Sequence, residues 1–212
     1  MFAYSALMRI KKETGYSVAL DAGCGRGIHS NLLKTIGCET IFSLDINSEM
    51  LKVARSNNGM HCIQAILMKL PLADSSVDIV ISIGTLMHVP YTEFALREIF
   101  RVLSKDGIAI VSSSNIFSIY AFWATRLNPI LAKHQKLYHR RQFSYWQFRK
   151  MLTNTGFTIL ESQGFSVIPP LSLLPNWRFS IIPVPLSHSL STILDPLLAK
   201  WFGCALTFVL TK

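Results

Sequence analysis

Three glycines at alternate positions, Gly23, Gly25 and Gly27, follow Asp21 in the stretch Leu20–Gly27, LDAGCGRG. Glycines here let the chain turn sharply and let a ligand approach the backbone with no Cβ in the way. The dinucleotide pattern GxGxxG is not met, because position 28 is Ile and the third glycine falls one residue early. A GxxxxGK[ST] phosphate loop is absent as well. Two carboxylates, Asp21 and Asp45, each end an apolar run. Histidine titrates near neutrality, so His88 is a candidate general base, with a hydrogen-bonded structural histidine as the alternative. Cys24 reads as a small packing residue rather than a nucleophile.

These residues need elements to position them. Ser17–Ala22 is a short apolar run ended by glycine, a strand signal. Gly27–Ile36 carries helical spacing through Ile28, Leu32, Leu33 and Ile36, with Gly37 as a stop. Glu39–Ile46 is a second strand, and Asn47 or Ser48 caps a helix over Glu49–Ser56. Strands three and four are expected over His61–Ile66 and Val77–Gly84. An amphipathic helix, Thr92–Leu103, leads through the turn Ser104–Gly107 to strand five, Ile108–Ser112. Strands alternating with helices predict a parallel, doubly wound α/β sheet. Ligands in such sheets bind at the carboxyl ends of the strands, which is where the glycine stretch lies.

The pattern changes after strand five. One or two helices are expected in Asn115–Gln135, a helix over Tyr145–Thr153 and a sixth strand over Phe157–Gln163. Residues 164–187 hold five prolines and predict no regular structure. A helix over Leu190–Trp201 and a final strand, Cys204–Leu210, complete the reading.

Composition narrows the class. The 212 residues suit one domain. The net charge is +9, yet charged residues are only 16% and the mean hydropathy is +0.35. The four cysteines form no CxxC pair and no zinc-ligand spacing with the histidines, so no metal is expected. The beginning of the chain lacks a signal peptide's apolar core, and the expected location is cytoplasmic. Gly107–Thr125 is free of charge, but its Ser112–Asn115 stretch argues against a membrane span. No acidic residue occurs between Gly107 and Leu160, a segment that carries Arg126, Lys133, Lys136, Arg140, Arg141, Arg149 and Lys150. The band Lys133–Trp146 mixes cations with aromatics, as surfaces that meet RNA or anionic lipid do, and as a solvated basic face does.

The stretch DAGCGRG resembles motif I of the class I S-adenosylmethionine-dependent methyltransferases. Asp45 matches that family's ribose-binding acid. Leu70–Val80, Ser82–Val89 and Arg97–Gly107 resemble its LPF-x-D-x-S-FD-x-V, S-x-x-x-L-H-H-V and E-x-x-RVLKPGG segments. The likeness covers residues 17–112 in order and is nearest the type 11 methyltransferase domain. It implies a Rossmann-like seven-stranded sheet of order 3-2-1-4-5-7-6, strand seven antiparallel, with an apolar and basic cap. It implies one domain over 1–212: a cofactor-binding core at 15–112, a substrate cap with strand six at 113–203, and a final strand at 204–212. The cofactor implied is S-adenosylmethionine, held by Asp21, Gly23, Cys24, Gly25, Gly27, Asp45, Ile46, Ile66, Leu67, Ser82 and Gly84. In that reading Asp45 accepts ribose hydroxyls, and Asp21 binds the ammonium group directly or orients the loop. Adenine lies between Ile46 and Ile66–Leu67, and His88 stands near the reaction centre. The family commonly has an acid where Ile66 stands, and Gln64 is the substitute nearby.

The reaction implied is methyl transfer to a small hydrophobic or lipid-like acceptor, with peripheral contact at a membrane surface. The alternatives are a tRNA-modifying methyltransferase and a non-catalytic cofactor-binding or scaffold protein.

Overall fold

The computed structural model describes residues 17–56, 60–118, 122, 141–165, 193–195 and 198–212. Its elements are β1 (Val18–Ala22), α1 (Ile28–Thr35), β2 (Thr40–Asp45), α2 (Ser48–Ser56), β3 (His61–Gln64), β4 (Val77–Ser82), a 3₁₀ turn (Leu86–His88) and α3 (Thr92–Val102). They continue with β5 (Leu103–Asn115), β6 (Gln142–Phe143), α4 (Tyr145–Thr155), β7 (Thr158–Phe165) and β8 (Ala205–Thr211).

The strands form one sheet of order β3-β2-β1-β4-β5-β8-β7, with β6 paired to β5. Set the two-residue β6 aside and this is the expected seven-strand order, with β7 and β8 as strands six and seven. The pairs from β3 to β5 are all parallel. β8 runs antiparallel to β5. The Asn115 N–H donates to the Cys204 carbonyl at one end, and Thr211 Oγ1 donates to the Gly107 carbonyl at the other.

Parallel strands are covered on both faces, so they read as apolar runs. Ala19, Leu33, Ile41, Ile79, Ile81, Ile108, Ile110 and Val209 form one buried cluster. Burying each large aliphatic side chain contributes about 1.5–3 kcal/mol, which fixes the faces of the central strands.

Several element boundaries differ from the sequence reading. β3 stops at Gln64 instead of Ile66; the Ala65 N–H makes the last bond to β2, to the carbonyl of Asp45, where β2 itself ends. β4 stops at Ser82 instead of Gly84, where the Gly84 N–H donates to Ser112 Oγ. β5 is 13 residues long, because Ser104–Gly107 is a bulge inside the strand and not a turn before it. The pairing jumps there from Val77↔Leu103 to Ile79↔Ile108. Asp78 sits at the jump and accepts from the Ser17 and Val18 N–H groups, a structural role. β6 was not foreseen, since two residues carry no periodicity.

The described residues group into two compact units. The first holds those up to Ser112 with Met151–Glu161 and Phe208–Lys212. The second holds those within 113–150 and 162–207. Met151–Glu161 therefore groups with the first unit, where Phe157 packs edge-on against Phe100 at 5.1 Å. Of the helices expected in Asn115–Gln135, residues 115–118 and 122 are described: Asn115 ends β5 instead of starting a helix, a turn follows, and Phe122 is helical. The rest, most of the proline-rich stretch, and Lys133–Arg140 of the basic band lie outside the described residues. Of the helix expected over Leu190–Trp201, residues 193–195 and 198–201 are described and helical. Among the described residues no helix is long and apolar enough to cross a membrane.

Candidate functional site

β1 delivers the chain buried to Ala22 and then releases it into the glycine loop. Gly23 and Gly25 both take positive φ, 85° and 52°. The loop is pinned to the end of β2, where the Leu44 carbonyl accepts the Gly23 N–H at 2.7 Å and the Cys24 N–H at 2.9 Å. Thr85, beyond β4, donates Oγ1 to the Gly23 carbonyl at 3.1 Å. A Cβ on Gly23 would overlap the Thr85 side chain, whereas one on Gly25 would enter open space. Gly23 is thus required by packing, and Gly25 keeps one edge of the loop uncovered. Gly27 packs on α2, where an added Cβ would come within 3.2 Å of Ala54 Cβ.

Asp45 stands at the end of β2 with its carboxylate turned to the loop. Oδ2 accepts the Gly25 N–H at 2.8 Å, and Oδ1 accepts the Asn47 N–H at 2.9 Å. A carboxylate offers about four lone-pair sites, so each oxygen keeps one for a ligand hydroxyl. Asn47 in turn caps α2, accepting from the Glu49 and Met50 N–H groups.

Asp21 behaves differently. It is only 1% exposed and lies beneath the loop. Ser30 Oγ, from α1, donates to Asp21 Oδ2 at 2.6 Å, and Ser43 Oγ donates on to Ser30. Oδ1 has no hydrogen-bond partner among the described residues. Burial pushes this carboxyl above the ordinary carboxylate range, partly offset by Ser30 and the positive field of His29. An acceptor left open in a buried carboxylate favours a cationic or N–H-bearing neighbour.

The residues expected beside the adenine differ in exposure. Ile46 is 67% exposed and Ile66 is 41% exposed, while Leu67 is buried. Gln64 sits opposite Asp45 in the β2–β3 register. Its Nε2 donates to the Ile46 carbonyl at 3.1 Å, and it lines a cavity of about 190 Å³ with Ser48, Leu51, Lys52 and Arg55. The Gln64 amide is therefore already engaged beside Ile46.

Past β4, buried Ser82 donates Oγ to the Ala22 carbonyl at 3.0 Å, tying β4 to β1. His88 is exposed on the 3₁₀ turn, and its backbone N–H donates to the Thr85 carbonyl at 2.8 Å. Cys24 packs with Leu51 and Ala54, and burial, assisted by the negative charges of Asp21 and Asp45, pushes its thiol up to about 12. It stays protonated and is no nucleophile near neutrality.

Sequence reasoning missed Thr85, Ser112, Asn47 as the partner of Asp45, and Ser30. Ser30 had a signal, since it is a polar residue three positions before Leu33 on the buried stripe of α1. Thr85 and Ser112 had none, because their partners are distant in sequence.

α3 clasps the loop between β3 and β4. Glu98 accepts the Leu70 N–H at 2.7 Å, and Arg101 donates to Glu98, to Asp74 and to the Leu70 and Leu72 carbonyls. This is what the E-x-x-R spacing does: two side chains one turn apart grip the loop after β3. The Arg101 guanidinium, ahead of the Leu70 N–H, holds the Glu98 carboxyl below its ordinary 4.5. A lowered carboxyl stabilises the fold above its unfolded value and loses that contribution as pH falls through the folded one. Thermal melts should therefore lose stability below about pH 4.5 in the wild type. Glu98→Gln should show a shallower acid loss, and Arg101→Ala should melt lower by roughly 1–3 kcal/mol near neutrality. Parallel acid limbs in wild type and Glu98→Gln would show that the clasp is not the acid-sensitive element.

The glycine cradle, the open acceptor on Asp21 and the free lone pairs of Asp45 fit a ligand with an ammonium group and a diol. Exposed Ile46 and Ile66 fit a flat apolar ring beside that diol. Among the described residues no cluster of His, Cys, Asp or Glu is able to hold a metal ion. A family model described as a methyltransferase domain matches residues 20–111. A probable S-adenosylmethionine-dependent methyltransferase of Mycobacterium tuberculosis is 29% identical over 146 residues, 68% of this chain and 50% of that relative. The malonyl-acyl-carrier-protein O-methyltransferase of Enterobacter lignolyticus is 33% identical over 104 residues, 49% of this chain and 41% of that relative. The crystal structure of an S-adenosylmethionine-dependent methyltransferase from Mesorhizobium loti superposes with a TM-score of 0.69 at 20% identity, covering 98% of this chain and 96% of that one. The chain spans about half the length of the Mycobacterium relative. The names of these relatives and the fold they share are those of S-adenosylmethionine-dependent enzymes. Residues 20–111 match a methyltransferase domain, and the chain has the class I S-adenosylmethionine-dependent methyltransferase fold.

Proposed function

We propose that this protein transfers a methyl group from S-adenosylmethionine to a small hydrophobic or lipid-like acceptor. One observation supports the cofactor half above others: Asp45 bonds the Gly25 N–H at 2.8 Å, so the acid and the open glycine edge act as one ligand-binding unit. When bound, S-adenosylmethionine supplies a methyl group already activated by the sulfonium. The chain's own residues then have to bind, orient and shield. Asp45 holds the ribose hydroxyls, Asp21 faces the ammonium end with its open oxygen, and Ile46, Ile66 and Leu67 enclose the adenine. Ser82 and Gly84 line the methionine end. Orientation alone can lower such a barrier by up to about 7–11 kcal/mol in favourable cases. A dedicated base is therefore not compulsory, and His88 takes that role only for an acceptor that must lose its proton late.

The acceptor class rests on composition. Residues 113–203 are apolar, rich in proline and poor in acids. The Enterobacter relative is named for O-methylation of a carrier-bound malonyl group, which is consistent with an acyl acceptor. Acceptors of this kind are met at membrane surfaces.

Labelled S-adenosylmethionine incubated with the protein and fractionated cell extract tests both halves. Label is expected in the lipid or small-molecule pool. Label in the tRNA pool would overturn the acceptor class. No thermal shift at millimolar S-adenosylmethionine, with no label transferred to any pool, would overturn the methyltransferase reading itself.

A further inference from the structure

Charge is segregated along this chain. Residues 113–150 and 162–207 hold nine lysines and arginines against one acid, Asp195, and so carry +8 of the total +9. The same unit leaves large apolar side chains in water. Asn115 gathers them. Its Nδ2 donates to the Trp201 carbonyl at 2.8 Å, and its Oδ1 accepts the Phe117 N–H at 3.1 Å. Ile116 and Phe117 are thereby brought to the Trp201–Phe202 corner. Trp146 stacks on Trp201 with centroids 4.7 Å apart, and Lys200 Nζ lies 4.7 Å from the Tyr145 ring and 5.6 Å from the Trp201 ring. Trp146 is 59% exposed and Phe117 56%, with Ile116 and Phe202 exposed beside them.

α4 extends the same surface. Trp146, Arg149 and Lys150 are exposed at positions i, i+3 and i+4, so they share one helix face. Tryptophan with flanking cations is the pattern of a helix lying at a bilayer interface, the ring at headgroup depth and the charges on anionic lipid. Nucleic acid fits less well. Trp146 and Trp201 spend a ring face on each other, and Ile116 and Phe202 offer nothing to a phosphate backbone.

We propose that Ile116, Phe117, Trp146, Arg149, Lys150 and Phe202 dock the chain on an anionic phospholipid surface. This deepens the lipid-like acceptor reading and rests on it for its purpose, but it is measured without cofactor, so either can fail alone.

The test is flotation of the full chain with phosphatidylcholine vesicles, with and without phosphatidylglycerol. Binding is expected only with phosphatidylglycerol, weakening as salt rises, with a blue shift of tryptophan emission. Arg149→Gln with Lys150→Gln should bind roughly thirtyfold more weakly at about fivefold per cation removed. Arg149→Lys should bind as the wild type does. Both positions are exposed, and melting curves of the variants control for misfolding. No flotation, equal binding to neutral vesicles, unchanged affinity in the double variant, tRNA binding that displaces vesicles, or self-association through this face without lipid would each overturn the proposal.

Discussion

Asp45→Ala is expected to bind S-adenosylmethionine roughly a hundredfold more weakly than the wild type, since two hydrogen bonds to a charged group are worth about 3 kcal/mol or more together. The loss has two sources. The ribose hydroxyls lose their acceptor, and the Gly25 N–H loses the 2.8 Å bond that fixes the loop edge. Asp45→Asn separates them. It keeps one oxygen, so it can hold either the Gly25 N–H or a ribose hydroxyl well, and intermediate affinity is expected. Titration calorimetry of the three proteins checks this. Wild-type affinity in Asp45→Ala would place the cofactor elsewhere.

Gly23→Ala should cost the fold more than any other substitution in the loop. A left-handed φ of 85° already penalises a Cβ by about 1–2 kcal/mol. Overlap with Thr85 adds a packing cost of about 1–3 kcal/mol, because its Cβ and both branches lie too close to rotate away. Together about 3 kcal/mol lowers the melting temperature by roughly 6–12 °C in a domain of this size. Gly25→Ala is the informative contrast. Its Cβ meets nothing, so only the backbone cost of about 1–2 kcal/mol applies to folding. Its new methyl does stand on the open edge, so cofactor affinity should fall at least about tenfold, the equivalent of about 1.4 kcal/mol. Melting curves and cofactor titrations of both variants read the two effects separately. Equal destabilisation by the two substitutions would contradict the different surroundings of the two glycines.

The sheet was legible because parallel strands buried on both faces leave unbroken apolar runs. Val77–Ser82 and Thr40–Asp45 could hardly be anything else. Ser104–Gly107 misled because Lys-Asp-Gly is turn chemistry, and a bulge within a strand uses the same residues. At the site, spacing located Asp21 and Asp45 at neighbouring strand ends. It did not reveal that one is buried under the loop and the other faces outward. That difference depends on Ser30 and Asn47, whose side chains meet the acids only after α1 and α2 pack. Thr85 was equally hidden, since its contact with Gly23 spans 62 positions.

The position of Asp45 has a consequence for descent. One carboxylate braces the glycine loop through Gly25 and the entry to α2 through Asn47. A descendant that had ceased to bind any cofactor would still be under selection to keep this acid, because losing it would slacken two turns at once. The acid's persistence in a lineage therefore records architecture before it records activity. Open Gly25, which no neighbour requires to be bare, is the position whose drift would betray a silent enzyme.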